Sequence, residues 1–340
     1  MGSLRRVAEI EIPGMARKLR LEFPGAIYHV INRGNYRSWI FQHAKPRAAF
    51  QTTLFQACER SSWLLHAFVI MSNHFHLALE TPLGNLVAGM QWLQATFACR
   101  FNRRRGEHGH LFAGRYKSLL VEPGAPLGQL CHYLHLNPVR ADIVPIGRLD
   151  HYRESSYWYL LHPDQRPKFM RPDTALAAAG GLADSPAGRA SYQTYLAWQE
   201  AEGSAGKSKA YVNLSRGWAL GSHEFKAALV EEHNLTADAR ALGVLGAREV
   251  NELRWTTALE RALRQIGKTR ADARDATKSA DWKVAVAAWL KVQTDTSNRW
   301  AATALNLGEP KAASRNITAF FRNAPERTQW WRRLKSLSDP

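Results

Sequence analysis

The chain has 340 residues, which is enough for two domains of ordinary size. Apolar residues make up 45% of the sequence and charged residues 22%, a balance typical of a folded globular protein and not of a disordered one. The formal net charge of +17 predicts a polyanionic partner, and nucleic acid is the usual one.

The sequence also excludes several classes of protein. It contains no run of 18 apolar residues, so we predict no membrane span. Its three cysteines form no CxxC pair, which argues against a zinc knuckle or a disulfide framework and fits a reducing cytoplasm. The Gly206-Lys207-Ser208 segment resembles the end of a P-loop, but position 201 is Ala where the motif needs its first glycine. We therefore predict no nucleotide cofactor.

The first half of the chain has a regular order of predicted elements. Strands are predicted from β-formers and from period-two alternation, and helices from apolar residues at three- and four-residue spacing. The predicted elements are strands at 26–32, 64–71, 74–80 and within 111–121, and helices at 46–61, 86–105 and 126–137. Taken in chain order, the first six of these elements follow the order β-α-β-β-α-β. This order predicts an α+β, ferredoxin-like split βαβ domain, which is an antiparallel sheet with helices on one face.

A change in composition near residue 160 predicts a second part of the chain. Prolines and an Ala/Gly-rich stretch follow it, which is typical of a connector, and the remainder has helical periodicity. We predict a flexible leader at 1–14, an α+β domain at 15–160, a linker at 161–207 and a mostly α-helical domain at 208–340.

Two pairs of residues could carry chemistry. His74 and His76 are separated by one residue on a predicted strand, so both imidazoles lie on the same face and can reach one metal ion. Tyr133 and Asn137 lie four residues apart on a predicted helix and share a face. A tyrosine beside a metal ion can attack phosphorus and form a covalent intermediate. Taken alone, each pair is more commonly structural.

Five sequence blocks in the same order resemble the single-tyrosine HUH transposases, of the IS200-like superfamily, and most closely their REP-associated tyrosine transposase branch. The blocks are PGAIYHVINRGN (24–35), MSNHFHLALETP (71–82), GHLFAGRYKS (109–118), YLHLNPVRADIV (133–144) and YRESSYWYL (152–160).

The resemblance implies a role for each matching residue. His74 and His76 correspond to the histidines that bind Mg²⁺ or Mn²⁺, Tyr133 to the nucleophile, and Asn137 to a third ligand that is often Gln in the wider family. It implies a cytoplasmic, nucleoid-associated enzyme that cuts single-stranded DNA beside REP-like palindromic hairpins through a 5′-phosphotyrosine. A monomer is favoured over a homodimer. The alternative is a domesticated protein that binds DNA or RNA hairpins with little or no catalysis.

Basic residues and one aromatic residue are the candidates for DNA contact. Cationic side chains bind phosphates and an aromatic ring can stack on a base, although a solvated basic strand edge or helix end has the same composition. Tyr116 is also a rival nucleophile, ranked below Tyr133. The candidates are Arg33, Arg103, Arg104, Arg105, Arg115, Tyr116, Lys117, Arg140, Lys311 and Arg315.

The last two of these belong to a predicted helix-turn-helix at 297–322, with a turn that contains Gly308. Lys311 and Arg315 would lie at the start of its second helix, where a recognition helix meets DNA. An ordinary helical hairpin has the same spacing.

Overall fold

The computed structural model describes residues 20–205, 214–233, 235, 243–323, 326 and 328–337. The chain divides into an N-terminal unit, Lys18–Phe225, and a C-terminal unit that begins at Lys226. None of the described helices is long and apolar enough to cross a membrane.

The N-terminal unit is built on a five-stranded sheet. Its strands are β1 (Ala26–Arg33), β2 (Leu64–Ile70), β3 (His74–Thr81), β4 (Lys117–Val121) and β5 (Ala219–Leu220). Their order is β2-β3-β1-β4-β5, so β1 and β3 are central. The two central strands run antiparallel, with Arg33 paired with His74 at one end and Ala26 paired with Thr81 at the other.

Helices α1 (Ala44–Ser61) and α2 (Leu86–Arg105) cover one face of this sheet. Aromatic rings join the layers: the ring centroid of Phe50 on α1 lies 4.6 Å from that of Phe75 on β3 and 5.0 Å from that of Phe97 on α2. Gly106 ends α2 in a left-handed conformation, directly after the basic run at 103–105. The β-α-β-β-α-β order and the α+β class are therefore confirmed.

The other face of the sheet is covered by α3 (Ala125–Arg140), which the prediction of helices on one face did not include. Alternation along β3 puts Ala78 on the face opposite Phe75, and Ala78 packs in one cluster with Leu130 and Leu134 of α3. The sheet is also mixed, because β5 pairs parallel to β4. With two residues, β5 is too short to produce a periodic signal in the sequence.

The predicted linker at 161–207 is instead part of the N-terminal unit over its described residues. After α4 (Ser156–Leu161), the chain forms α5 (Asp173–Ala178) and α6 (Pro186–Ala205). Leu176, Tyr192 and Leu196 from these helices are fully buried with the α3 cluster. The small residues serve close packing, since a Cβ at Gly128 would lie 2.1 Å from the Cβ of Ala178. The predicted leader, 1–14, lies outside the described residues.

The C-terminal unit is helical, as predicted. Following α7 (His223–Glu232), which crosses the boundary, its helices are α8 (Gly243–Ile266), α9 (Arg270–Asp275), α10 (Asp281–Thr294), α11 (Asn298–Ala304), α12 (Pro310–Arg322) and α13 (Gln329–Lys335). Residues 282–290 of α10 are buried, and α8, α12 and α13 pack around this helix.

Candidate functional site

Strand β3 presents two histidines to the α3 face of the sheet. His74 begins the strand opposite Arg33, and His76 lies opposite Ile31. Phe75 points to the opposite face, where its ring packs against Phe50 and fixes the strand. His76 is buried and His74 is half-buried, and their ring centroids are 5.0 Å apart. The two imidazoles thus form a pair at the end of β3.

A hydrogen-bonded chain determines the tautomer of His76. Nδ1 of His29 lies 2.8 Å from the carbonyl oxygen of Leu214, and a carbonyl only accepts, so this nitrogen carries the proton. In a neutral His29, Nε2 is then an acceptor. It lies 3.0 Å from Nδ1 of His76, which must therefore donate. The Nε2 atom of His76 is left with its lone pair, the form that a metal ligand requires.

His74 has the same tautomer for a different reason. Its Nδ1 lies 2.7 Å from Oδ1 of Asn73, and the amide of Asn73 is oriented by its Nδ2, which donates to the carbonyl oxygen of Arg37 at 3.3 Å. Nδ1 of His74 is therefore the donor and Nε2 keeps the lone pair. An acceptor that holds the second ring nitrogen is the usual arrangement around a metal-bound histidine.

Burial keeps all three histidines of this region neutral. It lowers the pKa of His29 to about 4, an effect that the hydrogen bond to Leu214 opposes and nearby Lys117 reinforces. Burial, assisted by Arg33, lowers the pKa of His74 to about 4. Burial and then the neighbouring His29 and His74 rings hold the pKa of His76 well below its usual value. Neutral imidazole is the form that binds metal ions.

Helix α3 brings Tyr133 to this pair. The Tyr133 ring meets the His76 ring nearly at right angles, with centroids 5.9 Å apart, and lies 6.4 Å from the His29 ring. Hydrogen bonds on both sides of Tyr133 hold the helix. Nε2 of His132 lies 3.0 Å from the carbonyl oxygen of Ala175, and Nε2 of His135 lies 2.9 Å from Oγ of Ser156. The phenol is thus carried on a rigid element.

Asn137 lies one turn beyond Tyr133 on α3 and is buried. Its Nδ2 has no hydrogen-bond partner among the described residues. That atom only donates, so a metal ion would be bound by the amide oxygen Oδ1, with Nδ2 left to donate to an oxygen of the substrate. The described residues include no group of three or more His, Cys, Asp or Glu side chains placed to hold a metal ion. The candidate set differs in kind, because it joins two neutral histidines to an amide. The amide oxygen and phosphate oxygens from DNA are ligands that suit Mn²⁺ or Mg²⁺, whereas the two imidazoles also suit Zn²⁺, Fe²⁺ or Ni²⁺.

The segment that holds this pair of histidines and Tyr133 matches a known family. A family model described as "Transposase IS200 like" matches residues 23–137, which include β1 to β4 and the candidate residues His74, His76, Tyr133 and Asn137. Residues 23–137 are an IS200-like transposase domain. The matched segment is about one third of the chain. It begins just before β1 and ends at Asn137, within α3.

Two further comparisons were made, with solved structures and with curated proteins. A solved structure described as a REP-associated tyrosine transposase bound to a REP hairpin aligns with a TM-score of 0.37 and 14% sequence identity, over 47% of this chain and 93% of that chain. No curated protein matches the chain.

Most of the candidate DNA-contacting residues are exposed. Arg33 and Lys117 belong to the strands of the transposase domain, with Arg33 opposite His74, and Lys117 opposite Ile31 on the far side of β1 from His76. The run at 103–105 forms the last turn of α2, where Arg105 also pairs with Glu107. The exposed candidates are Arg33, Arg103, Arg104, Arg105, Arg115, Lys117, Lys311 and Arg315.

Two candidates are placed differently. The ring of Tyr116 is 5% exposed and lies under the guanidinium of Arg20, 3.7 Å from the ring centroid, so it offers no face for stacking on a base. Burial raises its pKa to about 12, which also disfavours it as a nucleophile. Arg140 is half-buried and pairs with Glu200 at 3.3 Å, a contact that joins α3 to α6. We therefore leave both out of the DNA-contacting surface.

Sequence reasoning missed His29 and Asn73, the two residues that fix the tautomers of the histidine pair. His29 had one detectable signal: it is a polar residue on an otherwise apolar strand, in AIYHVIN. Its distance of 47 positions from His76 gave no reason to join them. Asn73 looked like part of a turn, which it also is.

Proposed function

We propose that this chain is a metal-dependent endonuclease and strand transferase that acts on single-stranded DNA through Tyr133. One observation carries the proposal: within the transposase domain, α3 holds the Tyr133 ring 5.9 Å from the ring of His76, whose free nitrogen faces away from its hydrogen bond to His29. A phenol beside a pair of neutral histidines suits attack on a metal-bound phosphate.

In the proposed reaction, Oη of Tyr133 attacks the scissile phosphorus. A bond forms between Oη and phosphorus as the bond from phosphorus to the 3′ oxygen breaks. The phenol loses its proton and the 3′ oxygen gains one, which leaves a 5′-phosphotyrosine and a free 3′-OH. Attack of a 3′-OH on the phosphotyrosine reverses these changes and joins two strands. The phosphotyrosine preserves the bond energy, so no external energy source is needed.

The chain's own residues would hold the phosphate and orient the attack. Nε2 of His74 and of His76, with the side chain of Asn137, would hold Mg²⁺ or Mn²⁺. When bound, that ion neutralises charge on the phosphate oxygens. The hydrogen bonds of His132 and His135 keep α3 fixed against α5 and α4, so the phenol is oriented before DNA binds.

The proposed substrate is single-stranded DNA beside a REP-like palindromic hairpin, as the sequence blocks imply. The exposed arginines and lysines of the transposase domain would bind its backbone, and a chain with a net charge of +17 attracts such a polyanion. Lys311 and Arg315, both exposed at the start of α12, would add a second DNA contact.

Covalent trapping tests the proposal. The protein is incubated with labelled hairpin DNA that carries single-stranded flanks, in Mg²⁺ or Mn²⁺, and the products are separated on a denaturing gel. Tyr133→Phe is the test variant. Tyr116→Phe is the matched control, because the Tyr116 hydroxyl is buried and has no hydrogen-bond partner among the described residues.

We expect a DNA–protein adduct with wild type and Tyr116→Phe that disappears with Tyr133→Phe and with a chelator. Loss of the adduct in Tyr116→Phe but not in Tyr133→Phe would identify Tyr116 as the nucleophile. Cleavage without an adduct would indicate hydrolysis by water. Tight binding of hairpins with neither product would favour a domesticated hairpin-binding protein.

A further inference from the structure

An exposed aromatic loop lies beside the candidate site and has no role in the reaction just described. It follows β1 and covers residues 34–41. Tyr36 is 95% exposed and Trp39 is 62% exposed, although both are large apolar side chains. Arg33 and Arg37, which are also exposed, flank the first of them. Large exposed rings among cations are typical of surfaces that bind single-stranded nucleic acid.

The loop is held firmly at its base. The backbone N–H of Gly34 donates to the Asn73 carbonyl at 2.8 Å, and that of Phe41 donates to the Ser72 carbonyl at 3.0 Å. Ile40 and Phe41 are buried in the core. Both backbone contacts reach the turn immediately before His74. The base of the loop is therefore hydrogen-bonded to the turn that leads into β3, the strand that carries His74 and His76.

The tip of the loop is strained. Tyr36 and Arg37 have φ values of 51° and 60°, in the left-handed region that non-glycine residues avoid. Such strain persists only where the surrounding structure imposes it, and it is concentrated at functional sites. Here it turns the Tyr36 ring away from the core and into solvent. A fold that needed only a turn would gain stability from glycine at this position.

We propose that Tyr36 and Trp39 form a stacking platform for the unpaired nucleotides next to the scissile phosphate. The inference rests on the proposed function. Arg33 is paired with His74 in the sheet, and the chain from Arg33 to Tyr36 spans at most about 11 Å. The platform therefore lies beside the histidine pair. Aromatic faces bind bases of any identity, while Arg33 and Arg37 bind the phosphates between them.

The test measures binding without chemistry, in a Tyr133→Phe background. Fluorescence anisotropy compares a hairpin that carries single-stranded flanks with the same hairpin without flanks. A second set of flanked hairpins has 2-aminopurine in the flank, because stacking quenches its fluorescence. The variants are Tyr36→Ala, Trp39→Ala and Tyr36→Phe. Leu83→Ala is the matched control, since Leu83 is 64% exposed but follows the opposite end of β3.

We expect each alanine variant to bind the flanked hairpin about 5- to 150-fold more weakly and to lose 2-aminopurine quenching. Binding of the hairpin without flanks should not change, and Tyr36→Phe and Leu83→Ala should resemble the parent. Equal binding of the two hairpins by the parent, or equal losses on both, would overturn the platform. Neither result affects whether Tyr133 forms a covalent adduct with DNA. The stacking platform can therefore be disproved without disproving the proposed function.

A second, independent observation concerns the buried hydrogen-bonded chain from Leu214 through His29 to His76. We infer that His29 is a positioning residue that holds His76 in the tautomer with a free Nε2. The Leu214 carbonyl fixes the proton of His29 on Nδ1, and the 3.0 Å contact passes this constraint to Nδ1 of His76. A leucine at position 29 would remove both hydrogen bonds and leave His76 free to take the other tautomer.

The first measurement is made on metal-free protein. Long-range ¹H–¹⁵N NMR of ¹⁵N-histidine-labelled protein identifies the tautomer of each ring, with His76 assigned by comparison with His76→Gln. We expect His76 to carry its proton on Nδ1 in wild type. A proton on Nε2 would overturn the inference, whether or not the protein has any activity.

The second measurement is Mn²⁺ affinity by electron paramagnetic resonance. His29→Leu should lose the single tautomer and bind Mn²⁺ about 10- to 100-fold more weakly. His29→Gln should keep most of the affinity, because its Oε1 can accept from Nδ1 of His76. Equal affinity of folded His29→Leu and wild type would contradict the inference. If His29→Leu does not fold, the inference is still tested by the tautomer of His76 in wild type and by the Mn²⁺ affinity of His29→Gln.

Discussion

The ring of Tyr133 meets the ring of His76 at 89°, with the two centroids 5.9 Å apart. One residue comes from α3 and the other from β3, which lie on opposite sides of a packed interface. Because Ala78 of β3 is buried in one cluster with Leu130 and Leu134 of α3, a shift of the helix would expose this part of the core. The relative position of phenol and imidazole is thus a property of the fold.

The metal-binding role of the histidine pair predicts a loss of chemistry without a loss of DNA binding. His74→Ala should reduce the rate of adduct formation by on the order of 10²-fold or more, because the ion loses a direct ligand. Its affinity for flanked hairpin DNA, measured by anisotropy without added metal, should remain close to wild type. His151→Ala is the control, since His151 is exposed and its ion-pair partner is the neighbouring Asp150 rather than a residue of the site. Normal adduct formation by His74→Ala would remove it from the ligand set.

The sequence predicted the elements of the transposase domain well because each has a strong periodic signal. Leu86, Met90, Leu93 and Phe97 mark one face of α2, and all four are buried as expected. The linker prediction failed because composition cannot distinguish a flexible Ala/Gly segment from one used for close packing. Ala178, which faces Gly128, belongs to the second kind.

The candidate site was predictable only where a short spacing or a sequence resemblance identified residues. His74 and His76 share a strand face through their spacing, and Tyr133 and Asn137 share a helix face. His29 reaches the pair through strand register, which places β1 beside β3. No local pattern reveals that contact, since it depends on which strands become neighbours.

Asn137 as a third ligand predicts that a shortened side chain weakens metal binding and leaves the fold intact. Asn137→Ala should bind Mn²⁺ about 10- to 100-fold more weakly in metal titrations. Its thermal stability should change little, since Nδ2 of Asn137 has no hydrogen-bond partner among the described residues to lose. Unchanged Mn²⁺ affinity would show that another group, or water, completes the coordination.

Burial of His132 predicts loss of stability in acid. Burial lowers the pKa of His132 in the folded protein, so below about pH 6.5 the unfolded chain binds the proton more readily. The contribution is complete above that pH and decreases as the pH falls towards the folded pKa. Protection of β1 and β3 amides from hydrogen exchange reports the opening free energy of this unit at each pH.

Replacement of this one histidine should reduce that acid sensitivity without removing it, because other buried histidines contribute. His132→Gln can still donate to the Ala175 carbonyl, which Nε2 of His132 contacts at 3.0 Å. Between pH 6.5 and 5, its stability should decrease less steeply than that of wild type, by at most about 1.4 kcal/mol per pH unit. Identical slopes for the two proteins would mean that folding does not lower the pKa of His132.

The strained loop tip predicts that stability and DNA binding change in opposite directions. Tyr36→Gly removes the left-handed penalty of about 1–2 kcal/mol, partly offset by about 0.5–1 kcal/mol of additional unfolded-chain entropy. The N-terminal unit should therefore unfold at an equal or slightly higher urea concentration, while binding of flanked hairpins weakens as in Tyr36→Ala. Tyr36→Ala keeps the strain and serves as the comparison. A clear loss of stability in the glycine variant would mean that the ring itself supports the fold.

The helix pair α11 and α12 predicts a position-dependent effect on DNA binding. The two helices pack together across a turn in which Leu305 and Leu307 are buried and Gly308 has a φ of 80°. In a helix-turn-helix, the first residues of the second helix contact base edges and phosphates. Lys311→Ala combined with Arg315→Ala should reduce hairpin affinity and make the slope of log K against log salt less steep by about 1–2.

Arg322→Ala is the matched control for that double variant, because Arg322 is exposed in the last turn of the same helix. A recognition helix would leave this end out of the groove, so we expect little change in affinity or salt slope. Equal losses from both ends would indicate nonspecific attraction by the charge of the C-terminal unit. No loss from either would make α11 and α12 an ordinary helical hairpin whose role is to complete the core around α10.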